Sequence, residues 1–168
     1  MAFNFTFADN QRLGLQIVGA NSTGTSKQPL GFKRVVVDND NNIAGEVMYI
    51  GKGNSTIYKL GLCSGFYLNG DGALNAPKAT AAPIFGVYIK NGNSDYIQTG
   101  GIAYVQTNTA LNKGAILYLT SDGKVSTTSS GNTEIRGAIA ADPAQKISVK
   151  IDGVPTDLYP IYLNNPHL

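Results

Sequence analysis

The chain holds a single cysteine, Cys63, and a single histidine, His167, and these two side chains bound much of the chemistry it could do. A zinc site draws on about four Cys, His or carboxylate ligands, or three at a catalytic centre. Here only one thiolate and one imidazole could contribute. An internal disulfide needs two cysteines, so none can form. A Ser-His-Asp or Cys-His pair would have to use His167, which follows Pro166 next to the end of the sequence. Chain ends usually fray, so a His-dependent enzyme is not expected.

Carboxylates are the remaining candidates. Nine Asp stand against two Glu, Glu46 and Glu134. A glycosidase needs two carboxyl groups at a set separation, and nothing in the spacing places such a pair. Asp71, Asp95, Asp122 and Asp152 fall among Gly, Asn and Ser, where Asp is expected because it caps its own backbone. Asp38, Asp40 and Asn42 match the opening spacing of an EF-hand loop. That loop wants Gly at its sixth position and Glu at its twelfth, and these are Ile43 and Tyr49. A hairpin turn is the expectation, with a looser calcium site at Asp38 and Asp40 as the lesser alternative. Gly51-Lys52 and Gly123-Lys124 lack the preceding glycine of a phosphate loop. No metal, cofactor or catalytic residue is therefore expected.

The elements that would position these groups are strands. Phe3, Phe5 and Phe7 alternate with polar residues, as do Leu13, Leu15 and Ile17. Short apolar runs recur at Val35–Val37, Val47–Ile50, Ile57–Leu62, Phe66–Leu68, Ile84–Lys90, Asp95–Thr99, Ile102–Val105, Ile116–Leu119, Ile135–Ala140 and Ile147–Ile151. Turn signals separate them at about 8–12 residues, the pattern of an all-β sandwich or barrel of about ten short, mostly antiparallel strands. Asn91-Gly92 and Asp122-Gly123 are the strongest hairpin signals. Gly51–Ser55 reads as a longer hairpin between Val47–Ile50 and Ile57–Leu62. Residues 73–83, rich in Ala with Pro77 and Pro83, read as an exposed crossing loop. Gly100-Gly101 breaks the strand pattern and could mark a boundary, but one domain over residues 1–168 explains the same features. Residues 154–168 carry Pro155, Pro160 and Pro166 and read as an extended, irregular tail after the last regular strand.

Charged residues are only 14% of the 168, with a net charge of +2, while hydrophobic residues are 42%. Disorder is excluded by that balance. Basic residues are scattered, with Lys33-Arg34 the only pair, so no nucleic-acid patch is expected. No apolar run is long enough for a spanning helix. The opening Met-Ala-Phe-Asn-Phe-Thr-Phe lacks a basic and a long apolar region, so a signal peptide is not expected. The nine tyrosines are spread over the strands, and tyrosine with few charges suits interface cores. Residues 1–8 and 154–168 read as extended arms that dock on their own body or on a neighbour. Phe3, Phe5, Phe7, Tyr159, Ile161, Tyr162 and Leu163 are the candidate partner-binding residues.

The stretch from Gly101 to about Gly153 carries a more particular pattern. It runs Gly101-Ile-Ala-Tyr-Val105, Leu111-Asn-Lys-Gly-Ala-Ile-Leu-Tyr-Leu119 and Thr120-Ser-Asp-Gly-Lys-Val-Ser126. Ile135-Arg-Gly-Ala-Ile-Ala140 and Ile147-Ser-Val-Lys-Ile151 follow. This region, 101–153, resembles the decoration, or cement, proteins of tailed-phage capsids. The resemblance implies a β-rich structural virion protein on the capsid exterior, made in the host cytoplasm. It implies a homotrimer that bridges neighbouring copies of the major capsid protein, without catalytic residues and without nucleic-acid or membrane partners. A second expectation is a carbohydrate- or receptor-binding β module of a phage tail or head fibre. It is motivated by the Asn/Tyr/Gly-rich loops, with Tyr67 and Tyr96 as its candidate contacts.

Overall fold

A computed structural model of the chain describes residues 5–7, 31, 33–38, 43–51, 59–68, 74–75, 81–91 and 94–168. The described residues form twelve strands and one 3-10 turn, so the all-β antiparallel architecture is as the sequence predicts. The strands are β1 (Phe5–Phe7), β2 (Lys33–Asp38), β3 (Ile43–Gly51), β4 (Cys63–Leu68), β5 (Leu74–Asn75) and β6 (Ile84–Asn91). Then come β7 (Ser94–Val105), β8 (Ile116–Leu119), β9 (Val125–Ser126) and β10 (Thr133–Ala140). The 3-10 turn Pro143–Gln145 precedes β11 (Ile147–Ile151) and β12 (Val154–His167). The main path through the sheet is β1-β2-β3-β7-β12-β10-β8-β9, with β4, β5, β6 and β11 attached beside it.

Two long strands carry the architecture. The first half of β7 lies between β3 and β6, and its second half pairs with β12. The first half of β12 pairs with β11, and its second half is flanked by β7 and β10. Each long strand therefore hands the ladder from one group of strands to the next. The main core fills the space this encloses. Phe85, Val87, Val105, Leu117, Leu119, Val125, Ile135 and Ile161 are among its buried members. Two smaller clusters lie around Val47, Tyr49, Ile89 and Tyr96 and around Met48, Phe66 and Ile97.

The predicted hairpins at Asn91-Gly92 and Asp122-Gly123 are present. β6 and β7 close at Asn91↔Ser94, and β8 meets β9 at Leu119↔Val125 with Gly123 at a φ of 80°. A third hairpin joins β11 to β12 through Asp152 and Gly153, both at positive φ, the requirement of a tight two-residue turn.

Several expectations are corrected. β3 pairs with β2 and β7, not with the strand that follows it. Lys59–Leu62 is a turn, and the strand begins at Cys63. Its backbone is claimed by neighbours: Gly61 N–H donates to the Tyr88 carbonyl and the Gly61 carbonyl accepts from Gln106 N–H. Leu74–Asn75, in the expected crossing loop, pairs with β4. Gly100-Gly101 does not break the chain, since β7 continues through it with a register shift against β3. A Cβ on Gly100 would lie 3.0 Å from that of Glu46, so Gly100 lets β3 approach. Asp95 lies within β7 and is buried.

The largest correction concerns residues 154–168. They are extended, as expected, but form the regular strand β12 inside the sheet. Its prolines sit where a missing N–H is tolerated. Pro155 adjoins the hairpin tip, and Pro160 falls where pairing passes from β11 to β10. Pro166 lies in the bulge opposite Gly137. Leu168 then donates its N–H to the Ala82 carbonyl at 2.9 Å and packs on the main core. His167 is held within β12 rather than frayed.

Candidate interaction face

The chemistry-bearing side chains are engaged in structural contacts. Cys63 is buried, and burial pushes its thiol well above the ordinary range, away from the reactive thiolate. His167 Nδ1 lies 3.0 Å from the Asn165 carbonyl, which can only accept, so this nitrogen carries the proton. Glu46 accepts from Thr99 Oγ1 at 2.9 Å and pairs with Lys33 at 3.3 Å. The other glutamate, Glu134, is exposed on β10, three strands along in the sheet path. No group of three or more His, Cys, Asp or Glu able to hold a metal occurs among the described residues. Asp38 ends β2 opposite Ile43, while Asp40 and Asn42 lie outside the described residues.

Two exposed charge clusters follow the same pattern. Thr120 Oγ1 donates to Asp122 at 2.5 Å and Lys124 lies 3.5 Å away. The Thr120 hydrogen bond, more than the nearby Lys124 charge, holds the Asp122 carboxyl below its usual range. On the β11–β12 hairpin, Asp157 accepts from Lys146 at 2.6 Å and also from Ser148. The Lys146 hydrogen bond lowers Asp157, and the same bond raises Lys146. The first ties down the β8–β9 turn, and the second links β11 to β12 at the open end of their ladder.

The candidate partner-binding residues separate into distinct groups. Phe3 lies outside the described residues, and Phe5 and Phe7 lie in β1 opposite Asp38 and Val36. Ile161 and Leu163 are buried in the chain's own core, so they cannot meet a partner. Tyr159 is half-buried against that core, with Lys146 Nζ 5.9 Å from its ring centroid. Tyr162 alone of the β12 set faces solvent, at 49% exposure. The segment is thus docked on its own body, with one side chain turned outward. Tyr96, a candidate sugar contact, is 2% exposed and cannot stack on a glycan, whereas Tyr67 is exposed.

Tyr162 has neighbours that the sequence did not single out. It pairs with Ile139 on one side and Ile102 on the other, and Ile139 pairs with Ile116. Directly paired residues share a face, so the four form one row across β8, β10, β12 and β7. Ile116 is 59% exposed, Ile139 is 45% exposed and Ile102 is half-buried. Beneath them Leu117, Ala140, Ile161 and Ala103 are buried.

Ile139 was hidden by a backbone irregularity. Counting by twos from buried Ile135 turns residue 139 inward. A register shift between Glu134 and Ile139, with Gly137 at a φ of 73°, reverses the parity. Ile139 then faces out and Ala140 faces in. The Ile-x-Gly-x-Ile spacing was the available signal.

No family model, no curated protein and no solved structure matches this chain.

Proposed function

We propose that the protein is a structural component of a phage virion that binds the outer surface of the capsid and cements neighbouring major capsid proteins. The observation that carries this reading is the behaviour of the segment with the decoration-protein pattern. Within Lys113–Ile151, β8 pairs antiparallel with β9 and β10, and β11 pairs with β12, which follows the segment. Each patterned glycine has a mechanical reason there. Gly114 enters β8 at positive φ and donates its N–H to Ala140, Gly123 turns the hairpin, and Gly137 permits the bulge. Cys63, His167 and Glu46 are spent on packing and hydrogen bonds, which fits a protein that acts through its surface. The homotrimer and capsid-exterior placement belong to the same proposal.

The test is co-sedimentation with empty shells assembled from the major capsid protein of a tailed phage whose genome encodes this chain. The protein should pellet with the shells, saturate at a fixed ratio to capsid subunits, and raise the temperature at which shells disrupt. A protein that stays in the supernatant at micromolar concentration and leaves shell stability unchanged is not a cement protein.

A further inference from the structure

Six large hydrophobic side chains are exposed among the described residues, and three of them, Ile116, Ile139 and Tyr162, are direct cross-strand neighbours. With Ile102 the row is four strands wide, roughly 14 Å at ordinary strand spacing. Elsewhere on these strands Glu134, Arg136 and Asn164 are exposed polar residues, with Val154 at the start of β12 a further exposed apolar one. The row has no charged residue inside it. Glu134 and Arg136 lie to one side of it on β10, so the uncharged row has charged residues along that side.

We propose that this row is the face that seats on the capsid shell. The inference rests on the shell-binding function above. Its size selects the occupant. The three exposed side chains offer on the order of 300 Å² of apolar surface. A stable interface between two soluble copies buries about 800 Å² on each partner. The row is too small to hold a second copy on its own. It suits a weak contact repeated on a lattice, where linked copies engage several sites together and avidity makes the attachment firm. The occupant is therefore an uncharged, apolar patch of the capsid protein, presented repeatedly by the assembled shell. Unassembled capsid subunits offer one contact at a time and should bind far more weakly.

The variants are Ile139→Thr, Tyr162→Thr and their combination, because threonine removes the apolar surface while remaining a good strand former. Shell binding, solution mass and thermal midpoint are measured for each. The double variant should bind shells at least tenfold more weakly, with mass and midpoint unchanged. Wild-type protein should bind assembled shells at least tenfold more tightly than free capsid subunits. Should the double variant unfold, the two single variants are compared, each losing part of the affinity. Unchanged shell binding in folded variants overturns the assignment of the face and leaves the cement function standing. A drop in solution mass also overturns it, because the row would then join copies of this chain. If wild-type protein does not bind shells at all, both the function and the face fall.

Discussion

The core around Leu117 and the core around Tyr96 are built from different materials. The first, lined by β4, β6–β10 and β12, is mainly aliphatic: Leu117, Leu119, Val125, Ile135 and Ile161 have almost no exposure, and Phe85 is buried with them. The second, where β3, β6 and the first half of β7 meet, mixes tyrosines with buried polar groups. Tyr49 and Tyr96 meet at 5.5 Å between centroids. On the opposite face of the same strands, beside Ile97, Asp95, 2% exposed, accepts from the Tyr88 hydroxyl. Gln98 donates to the carbonyls of Gly100 and Ile102 at 3.0 and 2.7 Å. An aliphatic core answers mainly to volume, whereas a core with buried polar atoms answers to whether each atom keeps its partner. The same sheet should therefore fail in two ways.

The largest effect is expected in the aliphatic body. Leu117→Ala should cost about 3–5 kcal/mol of unfolding free energy, read from urea midpoints. A loss under about 1 kcal/mol would mean this cluster does not hold the fold. Gly137→Ala should cost about 2–3 kcal/mol, because an alanine there must adopt positive φ and meet the Asn164 carbonyl. It should also loosen the pairing of β10 with β12 and β8, which hydrogen–deuterium exchange of the β10 amides can register. In the polar region, Tyr88→Phe should cost about 1–2 kcal/mol by leaving the Asp95 carboxylate buried without its donor. A double-mutant cycle with Asp95→Asn isolates the pair, and zero coupling would remove the contrast between the two cores.

The remaining effects are small and lie at the surface. Asp122 is held below its ordinary range by Thr120, so its contribution is present above about pH 3.9 and is lost as pH falls through its lower folded value. The group is largely solvated, so Thr120→Val should flatten acid unfolding in that window by no more than about 0.5 kcal/mol. Lys146→Ala should leave the thermal midpoint unchanged at 0.15 M salt. A clear drop would give the exposed Lys146–Asp157 pair a weight its position does not suggest.

Much of the fold was legible wherever alternation and turn residues agreed. Ile84–Lys90 with Asp95–Thr99 around Asn91-Gly92 declared both strands and the hairpin between them. The sequence misled where long-range pairing overrode local signals. Pro155, Pro160 and Pro166 read as breakers, yet β12 is extended over 14 residues because each proline falls at a ladder end or bulge. Gly100-Gly101 read as a break because a glycine pair is flexible in isolation, and only the approach of β3 reveals its use. Within the candidate face, Tyr162 was legible as an aromatic in a low-charge segment. Ile116 and Ile139 were not, since one merges into an apolar run and the other is inverted by the Gly137 bulge.

The position of β12 has a consequence for how the molecule is made. Its partners β7, β10 and β11 all precede it in the chain. While the ribosome is still adding residues, at about 5–20 per second, β7 and β10 wait with unpaired edges and the main core lacks Ile161 and Leu163. Such distant pairings also favour slow folding. The nascent chain should thus remain sensitive to protease until β12 has cleared the exit tunnel, and become resistant in one late step.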